Sequence, residues 1–331
     1  MEPVRQIPRR ITRRLALAAA AALFAVSPLA QAQSFPSKPL KIVNPYAPGG
    51  PGDALCRTVA ALLSTQLGQP VIVESKTGGS GSIGTLAVRN APGDGYTMLL
   101  TTITTVVQVP LVTKDPGFDP AKAMIPIGNV GLNPLALLAH PSVPAHDFPS
   151  FVEWARKQPA GVDVAVAGPT LEVASALLAQ QAKVKLVNIP FRGQAPALQS
   201  VLAGDVKIFY NTPSGPLAEF IKQGKLKVLG VSSAEPSPLI VGGVPISKYV
   251  PGYVQDINYA LWVSPGTPPE IVARLVDALK KGLAEPGLAD KLHAGGMTLA
   301  AAGPEEVTRI TVREATNIRK IMETTPVKFG E

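Results

Sequence analysis

The chain has 331 residues, 46% hydrophobic and 16% charged, with a net charge of +8, 30 glycines, 34 prolines, three histidines and one cysteine. The apolar content excludes a disordered tail, and a lone cysteine with three scattered histidines (His140, His146, His293) excludes disulfide scaffolds and structural zinc sites. Glycine and proline are abundant but stay below the roughly 25–30% of aperiodic low-complexity chains, which predicts many tight turns between short elements.

Arg5, Arg9, Arg10, Arg13 and Arg14 precede an apolar run from Leu15 to Val26, and Ala30-Gln31-Ala32 supplies the small residues a signal peptidase accepts. This is the order of a secretory signal peptide over residues 1–32, cleaved after about Ala32. The run is shorter than the roughly 20 apolar residues that span a bilayer. Thr12-Arg13-Arg14-Leu15 leaves the twin-arginine and general export routes both open. Half of the +8 belongs to this leader, and the remaining 26 basic and 22 acidic residues leave +4, too little for a nucleic-acid footprint. The expectation is a soluble, monomeric, periplasmic protein with no nucleic-acid partner. Cys56 shares a helical face with Ala60, Leu63 and Leu67, so it reads as a buried small residue.

Short β-rich runs are predicted at Leu40–Val43, Val71–Glu74, Tyr96–Leu100, Leu135–Ala139, Val162–Val166, Leu186–Ile189, Lys207–Tyr210, Lys227–Val231 and Ala260–Val263. Helical patterns lie between them at Asp53–Leu67, Ile83–Asn90, Phe148–Gln158, Leu171–Gln181, Ala195–Ala203 and Leu217–Gln223. Such alternation predicts α/β layers with largely parallel sheets. From Thr267 the pattern turns helical. Thr267-Pro268-Pro269-Glu270 reads as a capping box with proline at the first helical position, followed by an apolar stripe of Ile271, Leu275, Ala278 and Leu279. The last helix, Pro304–Met322, carries Val307, Ile310, Ile318 and Ile321 on one stripe, with Glu314 as its one charge.

Candidate site residues cluster at strand-to-helix junctions, the edge where open α/β sheets bind ligands. Asn44 to Asp53 holds three prolines and three glycines. It brings bare backbone (Tyr46, Ala47, Gly50) over the first strand, and Asp53 either caps the helix or accepts a ligand donor. Gly79-Ser80-Gly81-Ser82-Ile83-Gly84 fits a dinucleotide fingerprint, but it follows the second strand and lacks an acidic residue about 20 positions on, so it reads as a glycine-rich turn. Thr101 to Thr105, with Thr101, Thr102 and Thr105 as candidates, ends the third strand and offers hydroxyls. Ala167-Gly168-Pro169-Thr170 offers another anion seat with Thr170 as N-cap. Arg192 beside Phe191 can hold a carboxylate bidentately, and Asn211 can donate and accept. There is no G-x-S-x-G elbow, no H-E-x-x-H and no P-loop, so no catalytic residue, metal or cofactor is expected.

Together these residues resemble the extracytoplasmic substrate-binding proteins of the tripartite tricarboxylate transporter type, the Bug or TctC family. The likeness rests on Phe35 to Pro39, Pro45 to Asp53, Gly78 to Gly84, Asp94 to Thr97, Ile189 to Gly193, Ala195 to Leu198, Lys222 to Leu226 and Pro265 to Pro269. It implies a two-domain, type II-like periplasmic binding protein with a ligand cleft between α/β domains joined by two crossing segments, near Leu132–Leu135 and Asp256–Tyr259. Domain 1 is then 33–133 and 257–331, and domain 2 is 134–256. It implies a small-molecule ligand (a di- or tricarboxylate, an aromatic acid or an amino acid), hinge closure without catalysis, and delivery to two transporter membrane subunits. A sensor-kinase partner or an enzyme on the same cleft remain the alternatives. Tyr46 to Asp53 and Thr101 to Thr105 correspond to the first side of the cleft, and Ala167 to Thr170, Arg192 and Asn211 to the second.

The chain departs from that pattern in three places. Val166 to Glu172 is shorter by about two residues and lacks the usual serines and histidine, and Pro169 removes an amide donor. Tyr210 replaces an aspartate, and Val109 an asparagine. An uncharged, amide-bearing or aromatic ligand is therefore an alternative.

Overall fold

The computed structural model describes residues 35–46, 48, 51–113, 119–120, 122–167, 169–191, 193–213 and 217–324. The signal peptide lies outside the described residues. Contacts divide the chain after Ser37, and the account below concerns the unit from Lys38 onward. No helix among the described residues is long and apolar enough to cross a membrane.

In chain order the elements are β1 (Leu40–Asn44), α1 (Pro51–Leu67), β2 (Val71–Ser75), α2 (Ser82–Arg89), β3 (Thr97–Thr102), α3 (Ile103–Thr113), β4 (Ile125–Asn133), β5 (Ala136–Ala139), α4 (Phe148–Arg156), β6 (Val162–Val166) and α5 (Pro169–Ala182). They continue with β7 (Leu186–Pro190), α6 (Gln194–Ala203), β8 (Ile208–Asn211), α7 (Leu217–Lys222), β9 (Lys227–Val231), β10 (Ile257–Val263), α8 (Pro269–Leu283), α9 (Leu288–Ala294), β11 (Thr298–Ala302) and α10 (Pro304–Thr324).

Two sheets result. The first has the order β11-β4-β10-β3-β1-β2 and the second β7-β6-β8-β5-β9. The expectation of largely parallel sheets is corrected. β1 pairs in parallel with β2 and β3, and β6 with β7 and β8, as right-handed crossover units require. β10 is antiparallel to β3 and β4, β11 to β4, and β5 to β8 and β9. Apart from β11, the strands that pair antiparallel to their neighbours, β5 and β10, are those that follow a passage between the sheets. The chain leaves the first sheet after Asn133, enters the second at Ala136 and returns at Ile257.

Strand alternation divides the core. On β5, Leu137 and Ala139 face one apolar cluster, while Ala136 and Leu138 face another against Phe209 and Leu217. The first cluster is continuous across both sheets, running from Val43, Leu99 and Trp262 to Val164, Ile208 and Tyr210. Helix α10 closes it with Val307, Ile310 and Ile318, packing on α3 and β4 from the first sheet and on α5 from the second. Cys56 is fully buried, and burial beside Asp53 pushes its thiol up to about 12, so it packs without reacting.

Two local expectations fail for identifiable reasons. The capping box at Thr267 does not form. The double proline makes Pro268 the N-cap, and the Thr267 hydroxyl turns back to donate to the Ser264 carbonyl at 2.8 Å. Thr101 to Thr105 is not all strand end, because β3 stops at Thr102 and α3 begins at Ile103.

Candidate functional site

The loop after β1 is organised by Asn44, which is buried. Its Oδ1 accepts the Tyr46 N–H at 2.9 Å, and its Nδ2 donates to Asp53 Oδ1 at 2.8 Å. Asp53 also receives the Arg57 guanidinium, with Nε 3.0 Å from Oδ2. Helix α1 starts at Pro51, whose fixed φ suits the first helical position, so Asp53 lies inside the first turn and does not cap it. There its charge complements the positive helix end. Asp53 is thus an anchor for the loop, its carboxylate engaged from two sides.

Tyr46 ties this loop to the next. Its ring lies on Gly52, where an added Cβ would stand 2.4 Å from Tyr46 Cδ2, and packs 6.1 Å from the Tyr259 ring. Its hydroxyl accepts the Thr102 N–H at 2.8 Å and shares a hydrogen bond with Thr101 Oγ1 at 3.2 Å. Burial, with Tyr259 beside it, raises the Tyr46 pKa and keeps the phenol neutral. Tyr46→Phe should leave the Thr102 N–H unsatisfied and cost about 1 kcal/mol in urea unfolding. An unchanged midpoint would show that water replaces the hydroxyl.

Thr102 caps α3. Its Oγ1 accepts the Thr105 N–H at 3.1 Å and lies 2.8 Å from Thr105 Oγ1. Gly81, at φ 91°, packs so closely that a Cβ would meet Thr105 Cγ2 at 2.7 Å, so both backbone and space require glycine. The loops after β1, β2 and β3 therefore form one continuous surface at the C-terminal edge of the first sheet.

In the second sheet, Ala167 follows β6 half-buried, and Thr170 sits in the first turn of α5. The helix starts at Pro169, so Thr170 is not its N-cap. Asn211 ends β8 at 3% exposure. Its Oδ1 accepts the Thr212 N–H at 2.8 Å, while its Nδ2 has no hydrogen-bond partner among the described residues. Gln194 Nε2 donates to the Thr212 carbonyl at 2.9 Å, fixing the start of α6 against this strand end. Burial raises the Glu172 carboxyl's pKa. Ala47, Gly50, Gly168 and Arg192 lie outside the described residues.

The two edges meet. A cavity of about 20 Å³ is lined by Thr104 of α3 and Thr170 of α5 together with Leu135, Asp256 and Glu314. Both passages between the sheets are knotted there by Ser232, which no motif singled out. Its Oγ accepts the Leu135 N–H at 2.7 Å and donates to Asp256 Oδ1 at 3.2 Å. Asn258 Nδ2 donates to the Asp256 carbonyl at 2.9 Å, and Asn129 Nδ2 to Asn258 Oδ1 at 2.8 Å. Of this cluster, Thr104 and Thr170 lay in predicted site loops, Leu135 and Asp256 at the expected crossings, and Glu314 stood out as the charge on an apolar stripe, whereas Ser232, Asn129 and Asn258 left no signal in the sequence.

Residues 55–326 match the model of the tripartite tricarboxylate transporter family receptor. The chain belongs to this family. A UPF0065 protein of Bordetella bronchiseptica is 30% identical over 305 residues, covering 91% of this chain and 90% of the relative. A TctC solute-binding protein from Polaromonas, solved without ligand, superposes with a TM-score of 0.78 at 28% identity, covering 88% of this chain and 100% of that one. A Rhodopseudomonas palustris protein solved with adipate superposes at 0.67 with 26% identity, covering 88% and 98%. The α/β, two-sheet architecture is that of these periplasmic binding proteins.

One departure from the family pattern has a structural account. Tyr210 points into the core cluster on the face of β8 opposite Asn211. Its hydroxyl bonds that of Tyr253, which in turn donates to the Ala174 carbonyl at 3.1 Å. The tyrosine braces α5. Val109 is buried within α3.

Proposed function

We propose that this receptor-family protein is an exported solute-binding protein that captures a small carboxylate-bearing molecule between its two lobes and delivers it to a tripartite membrane transporter. The lobes are residues 33–133 with 257–331, and residues 134–256. The observation that carries the reading is the shared cavity of Thr104 and Thr170. With Asp256 and Glu314 in its wall and room for about one water it is not itself the anion seat. It brings Thr104 of the first turn of α3 and Thr170 of the first turn of α5, one helix from each lobe, together beside both crossings. Helix N-termini favour anions. The relative solved with adipate supports a carboxylate ligand. Binding proceeds by hinge motion about Pro134–Leu135 and Asp256–Ile257, without bond chemistry, and closure strengthens each hydrogen bond by excluding water. Removal of the leader after Ala32 places the protein in the periplasm.

Asn211 Nδ2 supplies a donor on the second lobe, and Arg192 a charge-assisted one. Arg192→Ala should weaken binding of an acid by more than about 1 kcal/mol, roughly fivefold or more. Unchanged affinity would remove Arg192 from the site. A thermal-shift screen against dicarboxylates, aromatic acids, amino acids and amides tests the function itself. At least one acid should raise the melting temperature in proportion to the logarithm of its concentration. A response confined to amides would reassign the ligand class.

A further inference from the structure

We propose that the junction between the lobes is a proton-controlled latch, in which Glu314 of α10 and Asp256 of the returning crossing share one cavity and their ionisation sets how closely α5 packs on α10. This rests on the two-lobe receptor reading and adds a regulation of the same cleft.

The geometry is that of a bridge. Helix α10 packs on α3 from the first lobe and α5 from the second. Glu314 stands at the crossing point, 9% exposed among Val307, Ile310 and Ile318. Its Oε2 accepts the Thr104 hydroxyl at 2.7 Å. The cavity of about 20 Å³ has room for about one water molecule, and Asp256 lines it with Glu314.

No cation is among the residues lining the cavity. Helix α3 presents Thr104, α5 presents Thr170, and the crossing presents Gln255 beside Asp256. The charge nearest on α10 itself is Arg313, which is exposed to water. Behind Asp256 stand Tyr210 and Tyr253, whose pKa values burial raises, so neither helps an ionised neighbour. Burial pushes Glu314 up to about 7, against the smaller lowering by Thr104 and Arg313, and Asp256 up to about 6, against that of Ser232 and Arg313.

Neutral acids fit the packed junction. Ionised ones call for more water than the cavity of about 20 Å³ beside them holds, and separating α5 from α10 admits it. Helices α3 and α5 open onto the cleft, so the spacing of the lobes and the protonation of the pair are linked, and each must shift the other.

The test is made without ligand. Spin labels on Thr65→Cys in α1 and Glu153→Cys in α4, both exposed, report the distance between lobes by pulsed electron resonance, while Cys56 is too buried to take the label. The distance distribution should move to longer values between about pH 5 and about pH 8, with a midpoint between about 6 and 7, and the Glu314→Gln, Asp256→Asn double variant should stay at the low-pH distribution. Should the double variant fold poorly, Asp256→Asn alone must shrink the movement. Superimposable wild-type distributions at both ends, or an unchanged pH response in the variants, would overturn the latch. Either result leaves ligand capture standing, since no ligand is present, and a pH-driven movement in a protein that binds no acid would leave the latch standing.

Discussion

At about pH 8, Glu314→Gln should be more stable than the wild-type protein by up to about 3 kcal/mol, and at about pH 4.5 the two should be nearly equal. A glutamate titrates ordinarily at 4.5, and here burial holds the Glu314 carboxyl near about 7. The folded state thus keeps its proton more tightly than the unfolded chain does. Below 4.5 both states are protonated and the group contributes fully. As pH rises, the unfolded chain ionises freely while the folded one resists, so stability falls until about 7 and the loss is complete above it. Glutamine cannot ionise, and its carbonyl can still accept from Thr104. Any lobe separation that hydrates the cavity relieves part of the wild-type penalty, so 3 kcal/mol is the upper value. Thermal melts across the pH range read the difference as a gap of several degrees that opens with pH. Parallel wild-type and variant curves would mean that Glu314 is solvated in solution.

Ser232→Ala should cost about 2 kcal/mol. Ser232 is fully buried and its hydroxyl serves both crossings, accepting from the Leu135 N–H and donating to Asp256. Alanine leaves one buried N–H without its acceptor and takes from Asp256 the donor that lowers its pKa, so the carboxyl should rise further above about 6. The cost should therefore grow between about pH 5 and about pH 8. Urea unfolding at both pH values measures it, and a loss below about 0.5 kcal/mol at each would show that Ser232 does not join the crossings.

The strands that alternate cleanly were legible in the sequence. Val162–Val166 and Lys227–Val231 occupy the predicted residues, and β1, β2 and β7 differ from theirs by one residue at an end. β4 was not legible because Pro126, Gly128 and Gly131 interrupt its pattern. The structure supplies the reason for Gly128, where a Cβ would stand 3.0 Å from Leu279 and 3.1 Å from the Ala302 carbonyl. β11 is alanine-rich and lacks β-branched packing residues beyond Thr298. α3 was not predicted, its first residues being taken as the end of β3, because Ile103, Val106, Val107 and Val109 are β-branched and buried, and a fully buried run shows no distinguishing period. α9 was also missed.

Of the candidate site, the loops were legible because glycine, proline and threonine concentrate where strands meet helices. The roles within them were not. Asp53 and the Tyr46 hydroxyl prove to be engaged by Asn44 and Thr102, partners that only the fold brings together, and Asp53 also by Arg57 one turn along the same helix. Ser232 and Asp256 carry no local motif, since their pairing joins segments that meet only at the junction.

Capture of a carboxylate between two lobes is tested most directly by calorimetric titration of the purified protein with a panel of dicarboxylates that includes adipate. At least one acid should bind saturably with a single site per chain at an affinity of about micromolar, with a negative heat-capacity change from surface buried on closure. Absence of saturable heat for every acid up to about millimolar concentration, with an amide or other neutral solute binding in their place, would contradict carboxylate capture.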